Sequence, residues 1–531
     1  MSAAAAAPLR VKNFLRGPWG FGATDHDGPV PHKLFPGENA DPKARKAGWT
    51  IVGIIDFLNR TGQGFSPRGI PLYLFHPMDV AYPPFVVAAR ERLAQNMIAA
   101  VAFEHWNDKW PRGGIQKLWG SVGDVAIERR ALLARVGVGA AQPVNAAAQE
   151  IVTTRVYEDD EDDGWDEVFN IDPTGCEDVD DVLGWRRCDD GAVEFMIAIA
   201  NVAAWIPAGG ALDVAARAAG QTIYEDGSVV QPMLPTAISA GAASLRADGR
   251  TRPVIAYVFL VRDGGVERAV WKECNVRVRR AFTYDSVLED QEICRKIQEY
   301  LGAVLGRDVG PDPHIWIEQA MILYNRRVAE MLAAAGGGLL RRHAGSAILR
   351  ESDYSAIAER SGCAEIAFLG SAAGEYCAAT SVDGVEHAGL GLAAYTHASS
   401  PLRRYADLVN QRWIRHITFG HPRPADEEGI AWHLNERGRC IKKLERDLWF
   451  LAHLRTDAIT EVDGIVLRET KGGWRVYVPV WRRTIRAICG DGVVNGDRVV
   501  VRAYCDLKRT SWDNRIVCSA AIQSGATGDA K

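Results

Sequence analysis

At roughly 150 residues per domain, a chain of 531 residues makes three to four domains, which excludes a miniprotein or a single binding module. Hydrophobic residues at 47% and charged residues at 24%, with 52 glycines and 24 prolines dispersed along the chain, exclude a fibrous or low-complexity protein. The net charge of −5 is uneven: 13 acidic residues and no Lys or Arg lie between Glu158 and Asp181, and removing those 13 from −5 leaves +8 on the remainder. The 10 cysteines contain no CxxC pair, so no disulfides or zinc site are expected, and a cytoplasmic or other reducing intracellular compartment is. No apolar run reaches the about 18 residues of a membrane span, and a soluble monomer is expected.

In chain order, residues 1–45 are rich in Ala, Gly and Pro with weak periodicity, and read as an N-terminal extension or incomplete module. Strands are predicted at Ile51–Phe57 and Ile70–Phe75 around a Thr61-Gly62-Gln63-Gly64 turn. With Val101–Trp106, Gly120–Asp124 and a helix over Ala126–Val136, they make a small barrel module at 46–140. Residues 141–165 read as an acidic linker, because the run Glu158–Asp163 repels itself. A central α+β domain at 166–456 combines strands such as Val193–Ala200 and Val254–Val261 with two long helices. One carries Ile317, Met321, Tyr324, Val328 and Met331 on a single face, the other Ile441, Leu444, Leu448 and Leu451.

Short strands at Gly464–Leu467, Trp474–Trp481 and Arg498–Tyr504 make a second small barrel at 457–531. Over Glu461–Lys531 it has 12 Lys and Arg against 8 Asp and Glu, with Trp474, Tyr477, Trp481 and Tyr504 interleaved. That pattern suits a platform for single-stranded nucleic acid.

The segment with most chemistry is Val168-Phe169-Asn170-Ile171-Asp172-Pro173-Thr174-Gly175-Cys176-Glu177-Asp178-Val179-Asp180-Asp181. An apolar strand delivers Asp172 to a Pro and Gly turn, and Asp178, Asp180 and Asp181 follow. Carboxylates this close repel one another and resist desolvation unless cations compensate them. Hard oxygen ligands suit Mg²⁺ or Mn²⁺, and two such ions activate water and neutralise a phosphodiester. An EF-hand counted from Asp178 fails, since its sixth and twelfth positions hold Leu183 and Asp189. An aspartyl nucleophile at Asp178 would follow its strand directly, yet the strand ends at Asp172. A solvated acidic loop is the remaining alternative.

A second segment, Tyr395-Thr396-His397-Ala398-Ser399-Ser400-Pro401-Leu402-Arg403-Arg404-Tyr405-Ala406-Asp407, predicts a helix with Ser400 as N-cap and Pro401 as first helical residue. Its free amides and Arg403 would favour phosphate, although, taken alone, the pattern is better explained by an ordinary capped helix with a surface arginine.

Taken together, these segments resemble the RNB exoribonucleases, the ribonuclease II and ribonuclease R family. The resemblance also includes Ile197–Asn201, Gln231–Pro235 and Ser244-Leu245-Arg246. Thr283-Tyr284, Glu318 with Asn325, Leu339–His343 and His387–Leu392 extend it in the same order. It implies an α+β RNB catalytic domain flanked by small OB-fold barrels, the first similar to a cold-shock barrel. The implied activity is 3′-to-5′ hydrolysis of single-stranded RNA to nucleoside 5′-monophosphates, with Mg²⁺ or Mn²⁺ as cofactor. By the same resemblance Asp172, Asp178, Asp180 and Asp181 hold the metals, and Asp180 and Arg403 are catalytic. Tyr224 stacks on the terminal base, Tyr284 and Glu318 recognise ribose, and Arg404 contacts substrate. The chain departs from the family at Asn201, usually Asp, at Ala398, often aromatic, and at Gln411, usually His.

Overall fold

The computed structural model describes residues 50–522 apart from 60–62, 80–81, 106–109, 139–143, 155–163, 344–350, 371–373, 381–384, 426–428, 455–457 and 491. The extension expected at 1–45 and the acidic run 158–163 lie outside the described residues. Two compact units emerge, one drawn from residues up to 140, 346–371 and 440 onward, the other from 141–345 and 372–439.

The first unit begins with β1 (Thr50–Ile55), β2 (Leu72–Pro77), β3 (Phe85–Ala88), β4 (Met97–His105) and β5 (Arg112–Ser121). They close into a barrel in the order β1-β2-β3-β5-β4. Ile51, Ile55, Phe75, Phe85, Val87, Ala99 and Val101 fill it, mostly at the two-residue period of a strand. Gly53 is required, since a Cβ there would lie 2.3 Å from the His76 carbonyl oxygen. The helix α1 (Val125–Arg135) follows, with the Asp124 carboxylate accepting from the Ala126 and Ile127 amides.

The second unit opens with α2 (Asn145–Thr154), inside the stretch expected to be linker. Val144, Ala147, Ala148, Ile151 and Val152 form an apolar stripe at helical spacing that packs on the central core, a signal masked by the acidic run beyond it. Then come β6 (Glu167–Asp172), β7 (Asp181–Arg187), β8 (Val193–Ala200), α3 (Val202–Trp205), α4 (Ala211–Ala219) and a hairpin of β9 (Ile223–Glu225) and β10 (Ser228–Gln231). The long strands β11 (Thr251–Arg262) and β12 (Gly265–Arg277) precede β13 (Arg280–Thr283). Six of these strands form one sheet in the order β12-β11-β8-β7-β6-β13.

β8, with Phe195–Ala200 fully buried, lies inside that sheet, as its unbroken apolar sequence requires. Helices α5 (Gln291–Leu305) and α6 (Pro313–Ala335) follow, then β14 (Leu339–Arg342). The helix α7 (Glu351–Ser361) returns to the first unit, and β15 (Glu375–Ala378), α8 (Tyr405–Phe419) and the first part of α9 (Ile430–His453) complete the second.

The chain ends in β16 (Thr460–Thr470), β17 (Gly473–Val478), β18 (Arg483–Cys489), β19 (Arg498–Cys505) and β20 (Ile516–Ile522), closed as β16-β17-β18-β20-β19. Both barrels thus share the five-stranded OB-fold order, and the class is α+β. Within the first unit, Glu128 on α1 and Arg515 beside β20 form an ion pair of 2.5 Å whose side chains are 2% and 0% exposed.

The three departures from the family pattern are built into the core of the second unit. The Asn201 side chain caps α3 by accepting from the Ala204 amide, and it donates to Glu273 Oε1 at 2.7 Å. Gln411 donates to the Ala200 carbonyl at 2.7 Å and accepts from the Ala203 amide at 3.2 Å, while Ala398 is fully buried. Each polar pair is satisfied, so these residues join α3 and α8 to the sheet.

Candidate active site

The aspartates sit where two adjacent strands begin and end. Asp172 is the last residue of β6 and Asp181 the first of β7, so the antiparallel pair brings both to one edge of the sheet. Between them the chain turns at Pro173–Gly175, with Gly175 at φ +82°, a conformation that favours glycine. Ser244 pins the rest of the turn: its hydroxyl accepts from the Val179 amide at 3.0 Å and donates to the Glu177 carbonyl at 2.6 Å.

Three of the four carboxylates meet protein donors. Asn170 Nδ2 donates to Asp172 Oδ2 at 2.7 Å, and the Tyr224 hydroxyl donates to Asp178 Oδ2 at 3.0 Å. The Cys176 thiol lies 3.8 Å from Asp178 Oδ1. Asp180, 4% exposed, accepts from the Leu402 amide at 2.9 Å through Oδ1 and from Arg403 Nε at 3.2 Å through Oδ2. Burial pushes the Asp172 carboxyl up, and pushes that of Asp180 to about 7 although Arg403 and the Leu402 amide pull it down. Asp181 is driven well above the usual carboxylate range by burial and then by the charges of Asp172 and Asp180.

Arg403 comes from a turn, not from the helix expected at Ser400. The Arg403 and Arg404 amides donate to the Ser400 carbonyl, and α8 starts only at Tyr405. Arg404 is extended at φ −134°, ψ 125°, because the backbone here pairs with another strand: the Thr222 amide donates to the Arg403 carbonyl and the Tyr405 amide to the Gly220 carbonyl. The free amides expected to favour phosphate are therefore spoken for in part: Leu402 donates to Asp180, and the Ser400 amide to Asp407 Oδ1 at 2.7 Å. Burial opposes the Arg403 charge, but Asp180 holds the guanidinium cationic. Its Nη2 donates to Ser400 Oγ at 3.0 Å, and Nη1 has no protein partner among the described residues. That leaves donors available for an anion.

Tyr284 joins the cluster through sheet register. The parallel pair β13–β6 sets Thr283 opposite Asp172, so Tyr284 follows immediately beyond the edge. Its hydroxyl is pushed up by burial, then by Asp181 and Asp172. Tyr224 arrives from β9, and Glu318 lies exposed on α6. Arg404 is committed elsewhere: its Nη2 donates to the buried Asp407 at 2.7 Å, and it lines a small pocket with Tyr376, Arg437 and Gln221. The structure thus brings together Asp172, Asp178, Asp180, Asp181, Arg403, Tyr224 and Tyr284. Sequence reasoning missed His314, whose ring stacks on Tyr284; Asn170 and Ser244 were noticed only as parts of motifs.

Hard carboxylate oxygens with raised proton affinity have the donor chemistry a divalent cation requires. In this conformation, however, no three His, Cys, Asp or Glu side chains among the described residues gather closely enough to enclose a metal ion. Nor is any helix among the described residues long and apolar enough to cross a membrane.

Comparison with known proteins adds the family. The RNB domain profile matches residues 162–299 and 303–420. Exoribonuclease 2 of Escherichia coli is 27% identical over 381 residues, which span 58% of this chain and 59% of that protein's length. The apo structure of Mycoplasma genitalium RNase R superposes with a TM-score of 0.67 at 16% identity, covering 88% of this chain and 89% of the other. That enzyme has also been seen in complex with ribose-methylated single-stranded RNA, with a TM-score of 0.65. Yeast Ssd1, described as a pseudonuclease, superposes with a TM-score of 0.60 at 15% identity over 86% of this chain and 68% of its own. With its aspartates and Arg403 set into this fold, the stretch 162–420 matches an RNB domain.

Proposed function

We propose that the chain is a hydrolytic exoribonuclease that degrades single-stranded RNA from its 3′ end and releases nucleoside 5′-monophosphates. The observation that carries this reading is Asp180, buried beside Asp172, Asp178 and Asp181 and bonded at 3.2 Å to a part-exposed arginine with donors to spare. Asp172, Asp178, Asp180 and Asp181 would hold Mg²⁺ or Mn²⁺, which supplies Lewis-acid polarisation of the phosphate and a more acidic water. Arg403 stabilises charge as it develops on the phosphate oxygens, and its fixed turn keeps the guanidinium pre-oriented. The Tyr224 ring takes the terminal base, while Tyr284 and Glu318 read the ribose.

The second reading is a protein that binds RNA without cleaving it, favoured by the likeness to Ssd1. Comparing wild type with Asp180→Asn separates the two. A nuclease loses hydrolysis in the variant while RNA affinity persists, because the substitution removes a charge the transition state needs and not a core contact. If neither protein cleaves RNA yet both bind it, the non-catalytic reading stands.

A further inference from the structure

The ring of His314 lies flat on that of Tyr284, with centroids 3.8 Å apart and planes 16° from parallel. Both residues are anchored from outside the ring pair. Tyr284 leaves β13 through a reciprocal turn, in which the Thr283 amide donates to Ser286 Oγ at 2.8 Å and the Ser286 amide to Thr283 Oγ1 at 3.1 Å. His314 occupies the first turn of α6. Asp312 caps that helix by accepting from the His314 amide at 2.9 Å, Pro313 fixes the first helical φ, and Trp316 Nε1 donates to the Gly310 carbonyl at 2.7 Å. Glu318 stands one turn further along α6, on the His314 side. His314 is itself exposed.

Such an arrangement has no packing need, since an exposed imidazole at a capped helix start is replaceable without loss of core. Its effect is on Tyr284. Tyr284 packs in part against the central core, and His314 covers a face of its ring, which further limits its rotation about the side-chain bonds. We propose that His314 is a positioning residue that braces Tyr284, holding its hydroxyl toward the aspartates and so setting how strongly a 3′-terminal ribose is preferred over deoxyribose. The inference rests on the ribose-reading role proposed above for Tyr284 and Glu318. A site built to pair with a hydroxyl discriminates only as well as its donor is fixed.

The test measures affinity and needs no turnover. An RNA oligomer and the same oligomer ending in a 2′-deoxynucleotide are titrated against the full chain in EDTA, and the ratio of the two Kd values is the readout. Wild type prefers the ribose end, and His314→Ala reduces that preference on the order of fivefold, the value of one aromatic stack. His314→Phe retains it, because a flat ring is what the brace requires. In Tyr284→Ala the preference is already lost, and adding His314→Ala changes nothing further. Thermal melting of each variant reports folding separately.

A wild-type chain without the preference overturns the proposal, as does His314→Ala keeping it or His314→Phe failing to restore it. Hydrolysis of RNA by wild type in Mg²⁺ is measured apart from these ratios. A chain that binds with the ratios above but never cleaves therefore refutes the nuclease reading and leaves the brace standing.

Discussion

Removing the charge of Asp180 is expected to strengthen the metal-free fold. An aspartate carboxyl that titrates near 3.8 when unfolded and about 7 in the fold binds more protons folded than unfolded between those values. Stability is therefore intact below about 3.8 and falls as pH rises, until above 7 the full penalty is present. At about 1.4 kcal/mol per pH unit, the interval amounts to as much as about 4 kcal/mol. Burial sets that sign. Arg403, with a side chain 43% exposed, and the Leu402 amide pull the other way and are outweighed.

Asparagine carries no such titration, and its amide oxygen can still accept from Leu402. Urea unfolding in EDTA should thus show wild type and Asp180→Asn drawing level toward about pH 4, with the variant the more stable by up to about 4 kcal/mol near pH 8. Magnesium should then raise the stability of wild type more than that of the variant, because binding to the folded state alone adds to its stability. If Asp180→Asn is instead the less stable protein at pH 8 in EDTA, the carboxylate is a structural partner of Arg403 and the reasoning fails.

Arg403→Ala should lower single-turnover cleavage on the order of 10²- to 10³-fold, the usual loss for one transition-state donor, with a much smaller change in Kd for RNA; equal losses in both would place Arg403 in binding. Glu128→Ala should destabilise the first unit by about 3–5 kcal/mol in chemical unfolding by leaving Arg515 charged and buried, whereas Glu128→Leu with Arg515→Met should recover most of it. Among the exposed residues of the C-terminal barrel, Arg468 and Arg475 should pair with phosphates, so that Arg468→Ala with Arg475→Ala lowers the slope of log affinity against log salt by about one for each arginine removed. An unchanged slope would remove this face from the RNA path.

The regular elements were legible because burial leaves a period in the sequence. Apolar alternation located the barrels, and the stripe from Ile317 to Met331 located α6, found at Pro313–Ala335. The aspartate segment was legible for another reason: a strand ending in Asp172 and a Pro and Gly turn leave few ways to arrange the acids that follow. What was hidden depends on contacts distant in sequence. The backbone of Arg403 pairs with Thr222, so the Ser-Pro signal for a helix start at 400 loses to a strand-like pairing 181 residues away. Likewise His314 meets Tyr284 only because β13 and α6 converge, and neither residue carries a local mark of the other. The apolar stripe in α2 was readable, but the neighbouring charge run dominated the window.

The claim that these carboxylates form a hydrolytic centre is tested most directly by incubating 5′-labelled single-stranded RNA with the full chain and Mg²⁺, with and without EDTA. If the claim holds, the RNA shortens stepwise from its 3′ end, nucleoside 5′-monophosphates are released, and EDTA arrests the reaction completely. RNA that stays full length in Mg²⁺ and in Mn²⁺ while bound to the protein would contradict it.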